Sequence, residues 1–170
     1  MDTILIMDEQ NYDNHLEEIF RVAIRGIIFV DGKLCMIEDS FGKMKLPGGG
    51  MESGEDDVQV LIREVKEETR YDVIPTSIKP FGEIEEKRLS IHEPMIWHQI
   101  NHLYFYDVYP EQGQCKYTRN EKDFGFHQVF YTIEEALEKN KNMLENKGRQ
   151  AWNQRQYKTL LLIKDFFYKK

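Results

Sequence analysis

The chain has 170 residues, a formal net charge of −7 at pH 7, 41% hydrophobic residues and 31% charged residues. These values are typical of a soluble globular protein, and we expect one domain over residues 1–170 with a sizeable core. The acidic balance weighs against bulk nucleic acid as a partner, because phosphate backbones demand basic patches, but it is compatible with one small phosphorylated substrate.

Targeting signals and metal-binding cysteine patterns are missing from the sequence. No apolar run approaches the length of a membrane helix, and the start, MDTILIMDEQ, lacks the basic region of a signal peptide. Cys35 and Cys115 have no metal-ligand spacing, and Cys35 falls in an alternating segment typical of a core strand. We therefore expect a reduced, cytoplasmic protein that does not associate with membranes.

The first half of the chain predicts strands, a hairpin and then a helix. Residues 3–7 predict a short strand. Residues 22–30 and 33–37 predict two strands joined at Asp31-Gly32, which is the strongest short hairpin signal. Residues 46–50, reading LPGGG, predict the loop before the helix.

The second half predicts further strands and two more helices. Strands are expected at 81–87, 98–109 and 129–131, with breaks at Pro75 and Pro80. Thr132 is a suitable N-cap for a helix at 133–139, and an amphipathic helix is expected at about 151–168, carrying Trp152, Leu160, Ile163 and Phe167. This order indicates an α+β fold class with a mixed β-sheet between helices, an α/β/α sandwich.

Residues 49–71, GGMESGEDDVQVLIREVKEETRY, contain the most informative pattern of the chain. Ser53 is the expected helix N-cap, with Asp56 completing a capping box. Val58, Leu61, Ile62 and Val65 share one apolar face.

Three carboxylates share a second face of this predicted helix. Glu64, Glu67 and Glu68 follow i, i+3, i+4 spacing, so like charges meet where they should repel. A divalent cation makes such a cluster favourable, and hard oxygen ligands suit Mg²⁺ or Mn²⁺. Arg63, one turn before Glu67, can hold or orient that carboxylate. The alternative is an ordinary solvated acidic face.

The segment resembles the Nudix box, G-x5-E-x7-R-E-U-x-E-E-x-G-U, in which U is apolar. Gly49 matches the first glycine, Glu55 the isolated glutamate, and residues 63–68 the R-E-U-x-E-E core. Arg70 stands where the family has glycine, and Tyr71 takes the last apolar position. The resemblance extends over about residues 20–140 and implies the same α/β/α sandwich.

The resemblance implies hydrolysis of a diphosphate bond in a nucleoside diphosphate linked to another moiety, such as a nucleoside triphosphate or nucleotide sugar. Water attacks phosphorus, with Mg²⁺ as cofactor and Mn²⁺ as a substitute. The expected metal ligands are Glu64, Glu67 and Glu68, with Glu55 in a secondary position. Gly49 and Gly50 are expected to bring backbone N–H groups to the substrate phosphates, or to let the helix start close to the sheet, with an ordinary turn as the alternative.

The catalytic group that accepts the proton from water is left open between two regions. Box residues Glu64 and Glu67, supported by Arg63, form one possibility. A carboxylate in a later loop forms the other, with Glu121 ahead of Asp123, Glu83, Glu85 and Glu86.

The alternative function is a non-catalytic Nudix-fold sensor that binds a nucleotide without cleaving it. Such domains typically lose box carboxylates, whereas this chain keeps them, so the enzyme is favoured. The number of metal ions and the oligomeric state stay open, and a homodimer is compatible with the sequence.

Side chains outside the box are expected to have ordinary roles. A metal site at His92, His98 and His102 is disfavoured because their spacings mix strand faces and loop. Trp97 and Tyr104 are expected in the core, with stacking on a base as the alternative. Arg21, Arg25 and Arg88 are expected on the solvated surface, with contact to phosphate as the alternative.

Overall fold

The structure is a computed structural model that describes residues 1–113, 122–146 and 151–169. Its strands are β1 (Thr3–Asp8), β2 (Glu18–Ile27), β3 (Phe29–Val30), β4 (Lys33–Glu38), β5 (Met44–Lys45), β6 (Gly48–Gly50), β7 (Tyr71–Val73), β8 (Lys79–Leu89), β9 (Ile96–Phe105), β10 (Val108–Gln112) and β11 (His127–Tyr131). Its helices are α1 (Asp57–Thr69), α2 (Ile133–Asn146) and α3 (Ala151–Tyr168), and a 3₁₀ turn spans Pro75–Ser77.

The strands of the described residues form a larger mixed sheet and smaller antiparallel ones. The larger sheet has the order β1-β8-β9-β2-β6, with parallel pairs β1–β8 and β2–β9 and antiparallel pairs β8–β9 and β2–β6. A second sheet has the order β11-β4-β3, with β5 paired to β4, and β10 pairs with β7. The predicted α+β fold class with a mixed sheet is confirmed.

Two hydrophobic clusters lie on opposite sides of β2, because neighbouring strand residues point to opposite faces. Ile24 packs with Leu61 and Val65 of α1. Ile27 belongs to the cluster that contains Leu160 and Ile163 of α3. The two faces of the larger sheet are therefore covered by different helices, which gives the predicted α/β/α layering.

The predicted hairpin is confirmed at Asp31-Gly32. Both residues have positive φ, 51° and 75°, which is the backbone that a tight turn between β3 and β4 requires. The strand predicted over 22–30 is instead two strands. β2 begins four residues earlier and ends at Ile27, and the chain then passes Ile28 and joins the second sheet.

The prediction of a loop at residues 46–50 was wrong for its last three residues. Gly48–Gly50 form β6, an edge strand antiparallel to β2, in which Arg25 pairs with Gly48 and Ala23 with Gly50. Glycine has a low intrinsic preference for strands, so the sequence favours a loop here. The hydrogen bonds to β2 override that preference.

The predicted start of α1 was also wrong. Asp56, not Ser53, is the N-cap: its side chain accepts from the Gln59 N–H, and the Gln59 side chain accepts from the Asp56 N–H. Gly54 has a φ of +85°, which is not a helical conformation, so the helix cannot begin at Ser53. At the other end, Arg70 takes the left-handed conformation, φ 68°, that the family glycine would adopt.

Later elements agree with the sequence more closely. Thr132 caps α2, accepting from the Glu135 N–H at 3.1 Å, and α3 has the predicted bounds. Phe167 is 45% exposed and is not a core residue. The strand expected over 98–109 divides into β9 and β10, and β8 continues through Pro80 with an irregular register there. No helix among the described residues has the length and apolar character that a membrane span requires.

Candidate active site

Strand β6 consists of three glycines, and their lack of a Cβ atom lets neighbouring side chains lie close to its backbone. A Cβ atom on Gly49 would overlap the Glu64 carboxylate. A Cβ atom on Gly50 would lie 3.0 Å from Nη2 of Arg21, on the opposite face of the strand. Gly48 has a φ of +138°, and a Cβ there would collide with the Ile24 carbonyl oxygen. Glycine is therefore required for the carboxylates and Arg21 to approach β6 so closely.

Arg63 gathers three carboxylates around one guanidinium group. Its Nε and Nη2 donate to Oε1 and Oε2 of Glu55 at 2.6 and 2.8 Å. Its Nη1 donates to Oε1 of Glu64 at 2.7 Å and lies 3.8 Å from Oε2 of Glu67. The predicted contact with Glu67 is thus the longest one, and the bidentate partner is Glu55.

The same contacts determine the protonation of Glu55. Hydrogen bonds from Arg63, and a further one from the Glu52 backbone N–H, lower the pKa of the Glu55 carboxyl to about 2. The Glu55 hydrogen bonds in turn raise the pKa of Arg63. This part of the site is therefore a fixed arrangement of opposite charges at neutral pH.

Glu68 has different partners from the other three carboxylates. It is 1% exposed and accepts from Lys45 Nζ at 2.5 Å and from the Gly48 backbone N–H at 2.9 Å. Burial raises the pKa of the Glu68 carboxyl to about 7, against the opposing effects of Lys45 and Gly48. Lys45 was not found from the sequence, because it lies 23 residues before its partner with no motif linking them.

A cleft rich in cations lies on the Arg21 face of the larger sheet. We define the cationic cleft by five residues: Arg21, Arg25, Lys43, Arg88 and Arg155. It has a volume of about 250 Å³ and adjoins a smaller cavity of about 100 Å³ that shares Arg25, Lys43 and Arg155 with it.

The arginines of this cleft are held by specific contacts. Arg25 donates to the Gly48 carbonyl oxygen at 2.5 Å, and burial lowers its pKa to about 10. Arg88 is 7% exposed and donates to Glu86 Oε1 at 2.7 Å; Arg155 of α3 binds the other Glu86 oxygen. The expectation of solvated surface was therefore wrong for Arg25 and Arg88. Arg155 and Glu86 lie 69 residues apart, so no local sequence pattern joins them.

The three histidines considered from the sequence lie in two places. His92 is in the loop between β8 and β9, whereas His98 and His102 are on β9, on the sheet face opposite to the cationic cleft. His98 lies between Glu18 and Glu85, and His102 lies 2.7 Å from Asp57 and 3.3 Å from Glu83. His92 is exposed and borders the cationic cleft. The histidines thus do not form one site.

The two aromatic residues singled out from the sequence have polar or cationic neighbours. Tyr104 donates its hydroxyl hydrogen to Asp57 at 2.5 Å. Trp97 is half-buried, with the Arg88 guanidinium 5.6 Å from its ring centroid.

A family model described as the NUDIX domain matches residues 19–151 of the chain. The chain belongs to the Nudix family. It is accordingly a Nudix hydrolase by family, an enzyme class whose members act on small phosphorylated nucleotide substrates. The match does not extend over the whole sequence, so a single Nudix domain over 1–170 stays a prediction.

Solved structures share the fold of this Nudix protein at low sequence identity. The MutT Nudix hydrolase from Burkholderia pseudomallei is 16% identical, with 69% of this chain and 86% of that chain covered and a TM-score of 0.55. The Nudix hydrolase from Nitrosomonas europaea is 18% identical, with 89% and 91% covered and a TM-score of 0.55. No curated protein matches the chain in sequence.

The Nudix carboxylates are the right type of ligand for a divalent metal ion, although the described side chains do not form a ready metal-binding cluster. No three His, Cys, Asp or Glu side chains within residues 1–113, 122–146 and 151–169 are placed as a metal-binding group. Glu55, Glu64 and Glu67 do converge on the Arg63 cation. Carboxylate oxygens are also the ligands that Mg²⁺ and Mn²⁺ prefer.

The candidates for the proton acceptor outside the box have other surroundings wherever the structure describes them. Glu121 lies outside the described residues. Asp123 is exposed, and the carboxylates of Glu83, Glu85 and Glu86 are engaged by His102, His98 and the two arginines, respectively.

Proposed function

We propose that this protein hydrolyses a diphosphate bond in a nucleoside diphosphate linked to another moiety, such as a nucleoside triphosphate or a nucleotide sugar. Water is the nucleophile and attacks phosphorus. The observation that supports this best is the complete set of box carboxylates placed at β6, with Glu55, Glu64 and Glu67 around Arg63 and Glu68 at Gly48.

The residues proposed to hold Mg²⁺, or Mn²⁺ in its place, are Glu64, Glu67, Glu68 and Glu55. When bound, such an ion stabilises the charge that develops on the diphosphate oxygens and lowers the pKa of a coordinated water. Nudix hydrolases generally use divalent metals. Arg63 orients Glu55 and Glu64 through the short hydrogen bonds described above.

Gly49 and Gly50 are the proposed contacts for the diphosphate. They lie in the edge strand of the larger sheet, so one side of their backbone is not paired with another strand of the described chain, and their lack of side chains lets Glu64 and Arg21 lie beside that backbone. Arg21 and Arg25 flank the same strand from the other face and would balance the charge of the diphosphate.

Glu67 is the box carboxylate best placed to receive a proton from water. Its side chain is 35% exposed, against 18% for Glu55, 14% for Glu64 and 1% for Glu68. It also has the longest contact with Arg63. A proton acceptor must reach water, and Glu67 meets that requirement more fully than the other three.

Two structural neighbours help to define the substrate class. One is described as an ADP compounds hydrolase and one as a UDP-X diphosphatase. Both descriptions indicate a nucleoside diphosphate joined to a second group, which is the class that we propose for this chain.

The proposal is tested by a panel of nucleoside diphosphate derivatives with Mg²⁺. We expect turnover that stops on adding EDTA and returns with Mg²⁺ or Mn²⁺. Glu67→Gln keeps the size of the side chain but removes its basicity, so kcat is expected to fall by about 100-fold or more. The control is Glu138→Gln on the exposed side of α2, which should leave kcat unchanged.

Two outcomes would reject parts of this proposal. Tight binding of one compound without hydrolysis by the wild type would establish the non-catalytic sensor instead. Equal rates for Glu67→Gln and the wild type would remove Glu67 from the catalytic group. Calorimetric titration of Glu64→Gln with Mg²⁺ checks the metal assignment independently of activity, and undiminished affinity would contradict it.

A further inference from the structure

The five cations of the cationic cleft have few direct ion pairs among the described residues. Arg88 and Arg155 share the single carboxylate of Glu86. Arg21, Arg25 and Lys43 form no ion pair with any residue in the described part of the chain. In a protein of net charge −7, five cations around one cleft, three of them without a direct ion pair among the described residues, indicate a site for an anion.

The cations also lie close enough to oppose one another. Burial lowers the pKa of Lys43; Asp39 opposes that shift, and Arg155, Lys45 and Arg25 add to it. Burial also lowers the pKa of Arg21 and of Arg25, and Arg155 lowers each further, while Glu64 raises both and Glu68 raises that of Arg25. A bound anion would relieve both the repulsion and the desolvation.

Neutral hydrogen-bond donors of the two cavities point to the same kind of ligand. Among the described residues, the buried Trp97 Nε1, Asn101 Nδ2 and Gln156 Nε2 have no acceptor. Trp97 lines the cationic cleft, and Asn101 and Gln156 line the smaller cavity beside it. Buried donors without acceptors are rare in native proteins. A ligand rich in acceptor oxygens, such as a phosphate group, would satisfy them.

The sheet register separates the Arg88 end of this cleft from the glycine strand. Gly48 in β6 pairs with Arg25 in β2, while Arg88 in β8 pairs with Trp97 in β9. Crossing from β6 through β2 and β9 to β8 takes three strand spacings, roughly 14 Å between backbones. A diphosphate bound at β6 would therefore be met by Arg21 and Arg25, with Arg88 too distant to share it. Arg155 binds the same carboxylate as Arg88, and Lys43 lines the same cleft, so these two cations can accompany Arg88 at another anionic group.

We propose that Lys43, Arg88 and Arg155 bind a phosphate group of the substrate that is separate from the diphosphate being cleaved. The substrate class is then a nucleoside diphosphate derivative carrying an additional phosphate, rather than one that ends in a neutral sugar. Trp97 and Trp152 line the same cleft, and their rings lie beside two of these cations, with Arg88 5.6 Å from the Trp97 centroid and Lys43 Nζ 4.5 Å from the Trp152 centroid. This inference rests on the proposed hydrolase function.

Matched substrate pairs test the inference, because each pair keeps the diphosphate and differs by one phosphate. Suitable pairs are NADP⁺ with NAD⁺, and coenzyme A with dephospho-coenzyme A. In at least one pair, we expect the phosphorylated member to have a kcat/KM about tenfold higher or more. A ratio near one in both pairs, with both members hydrolysed, would overturn the extra phosphate site and leave the hydrolase function intact.

Variants assign the preference to particular residues. Lys43→Met removes a half-buried cation without leaving a carboxylate unpaired among the described residues, so the fold should tolerate it. We expect the kcat/KM ratio within the preferred pair to fall at least threefold, and Arg88→Gln to lower it as well. Lys158→Met is the control, because Lys158 is exposed on α3 and lies outside the cleft. A ratio unchanged in Lys43→Met and in a folded Arg88→Gln would contradict the assignment.

Direct binding separates this inference from the hydrolase proposal. If no compound is hydrolysed, calorimetry on the same pairs still reports the site. Tighter binding of the phosphorylated member, lost in Lys43→Met, would support the phosphate site while rejecting catalysis. Equal affinity for both members would reject the phosphate site as well.

Discussion

Glu64 and Glu68 occupy the same helix face but have opposite electrostatic environments. Glu64 accepts a hydrogen bond from Arg63, which also binds Glu55. Glu68 is buried instead, where it accepts from Lys45 and from the Gly48 N–H. The spacing of the box correctly places both carboxylates towards β6. It contains no information on which of them loses contact with water, because that depends on residues from β5 and β6.

The buried Glu68 gives the folded protein a pH dependence that can be measured. Its folded pKa of about 7 lies above its ordinary value of 4.5, so the folded state binds the proton more tightly than the unfolded state. This contribution to stability is complete below pH 4.5 and is lost as the pH rises towards 7. The loss amounts to roughly 3 kcal/mol, from about 1.4 kcal/mol per pKa unit.

We expect Glu68→Gln to remove this pH dependence. Urea unfolding in EDTA at a series of pH values should show a flatter free energy of unfolding between pH 4.5 and 7 than in the wild type. The matched control is Glu138→Gln, which should keep the wild-type slope. A slope that is the same in Glu68→Gln and the wild type would show that Glu68 is ionised throughout this range.

The start of helix α1 shows how a neighbouring glycine can shift a predicted boundary. Ser53 and Asp56 are both good N-cap residues, and the sequence alone favours the first of them. Because Gly54 has a positive φ, the helix begins only after it, at Asp57. Asp56 is the N-cap and forms a capping box with Gln59. Ser53 is left outside the helix.

The two candidate caps are distinguished by a pair of substitutions. Asp56→Ala is expected to lower the free energy of unfolding by about 1 kcal/mol, since it removes the acceptor for the Gln59 N–H. Ser53→Ala should change it by only a few tenths of that. Urea denaturation of both variants measures the difference, and a larger effect at Ser53 would restore the boundary predicted from the sequence.

Apart from the start of α1, elements governed by local chemistry were predictable, and those governed by distant pairing were not. The Asp31-Gly32 turn and the Thr132 cap depend on residues within a few positions of each other, and both are confirmed. The strand character of Gly48 depends instead on pairing with Arg25, 23 residues away. No local preference of glycine could indicate that pairing.

At the scale of the whole molecule, Glu86 joins the C-terminal helix to the sheet. It is 1% exposed on β8 and accepts from Arg88 of its own strand and from Arg155 of α3. A buried carboxylate is strongly destabilising without its cations. Residues from separate thirds of the chain therefore depend on one another, which explains why sequence patterns did not identify them.

We expect Arg155→Met to lower the free energy of unfolding by roughly 3 kcal/mol, because Glu86 then keeps only one cationic partner. Adding Glu86→Gln should recover part of the loss, since the buried charge is removed as well. Thermal and urea unfolding of the single and double variants measure this coupling. Lys158→Met, one turn further along α3, is the control, and an equal loss there would show that the effect is not due to Glu86.

Strand β6 has different neighbours on the two faces of the larger sheet. Gly49 faces the Glu64 carboxylate and Gly50 faces Arg21, so under the proposed function the metal ligands and the residues that recognise the distal phosphate would lie on separate faces of the sheet. Substitutions in β8 or α3 can then alter which molecule is accepted while the box stays intact. A change of substrate during evolution would therefore require no change in the residues that perform the chemistry.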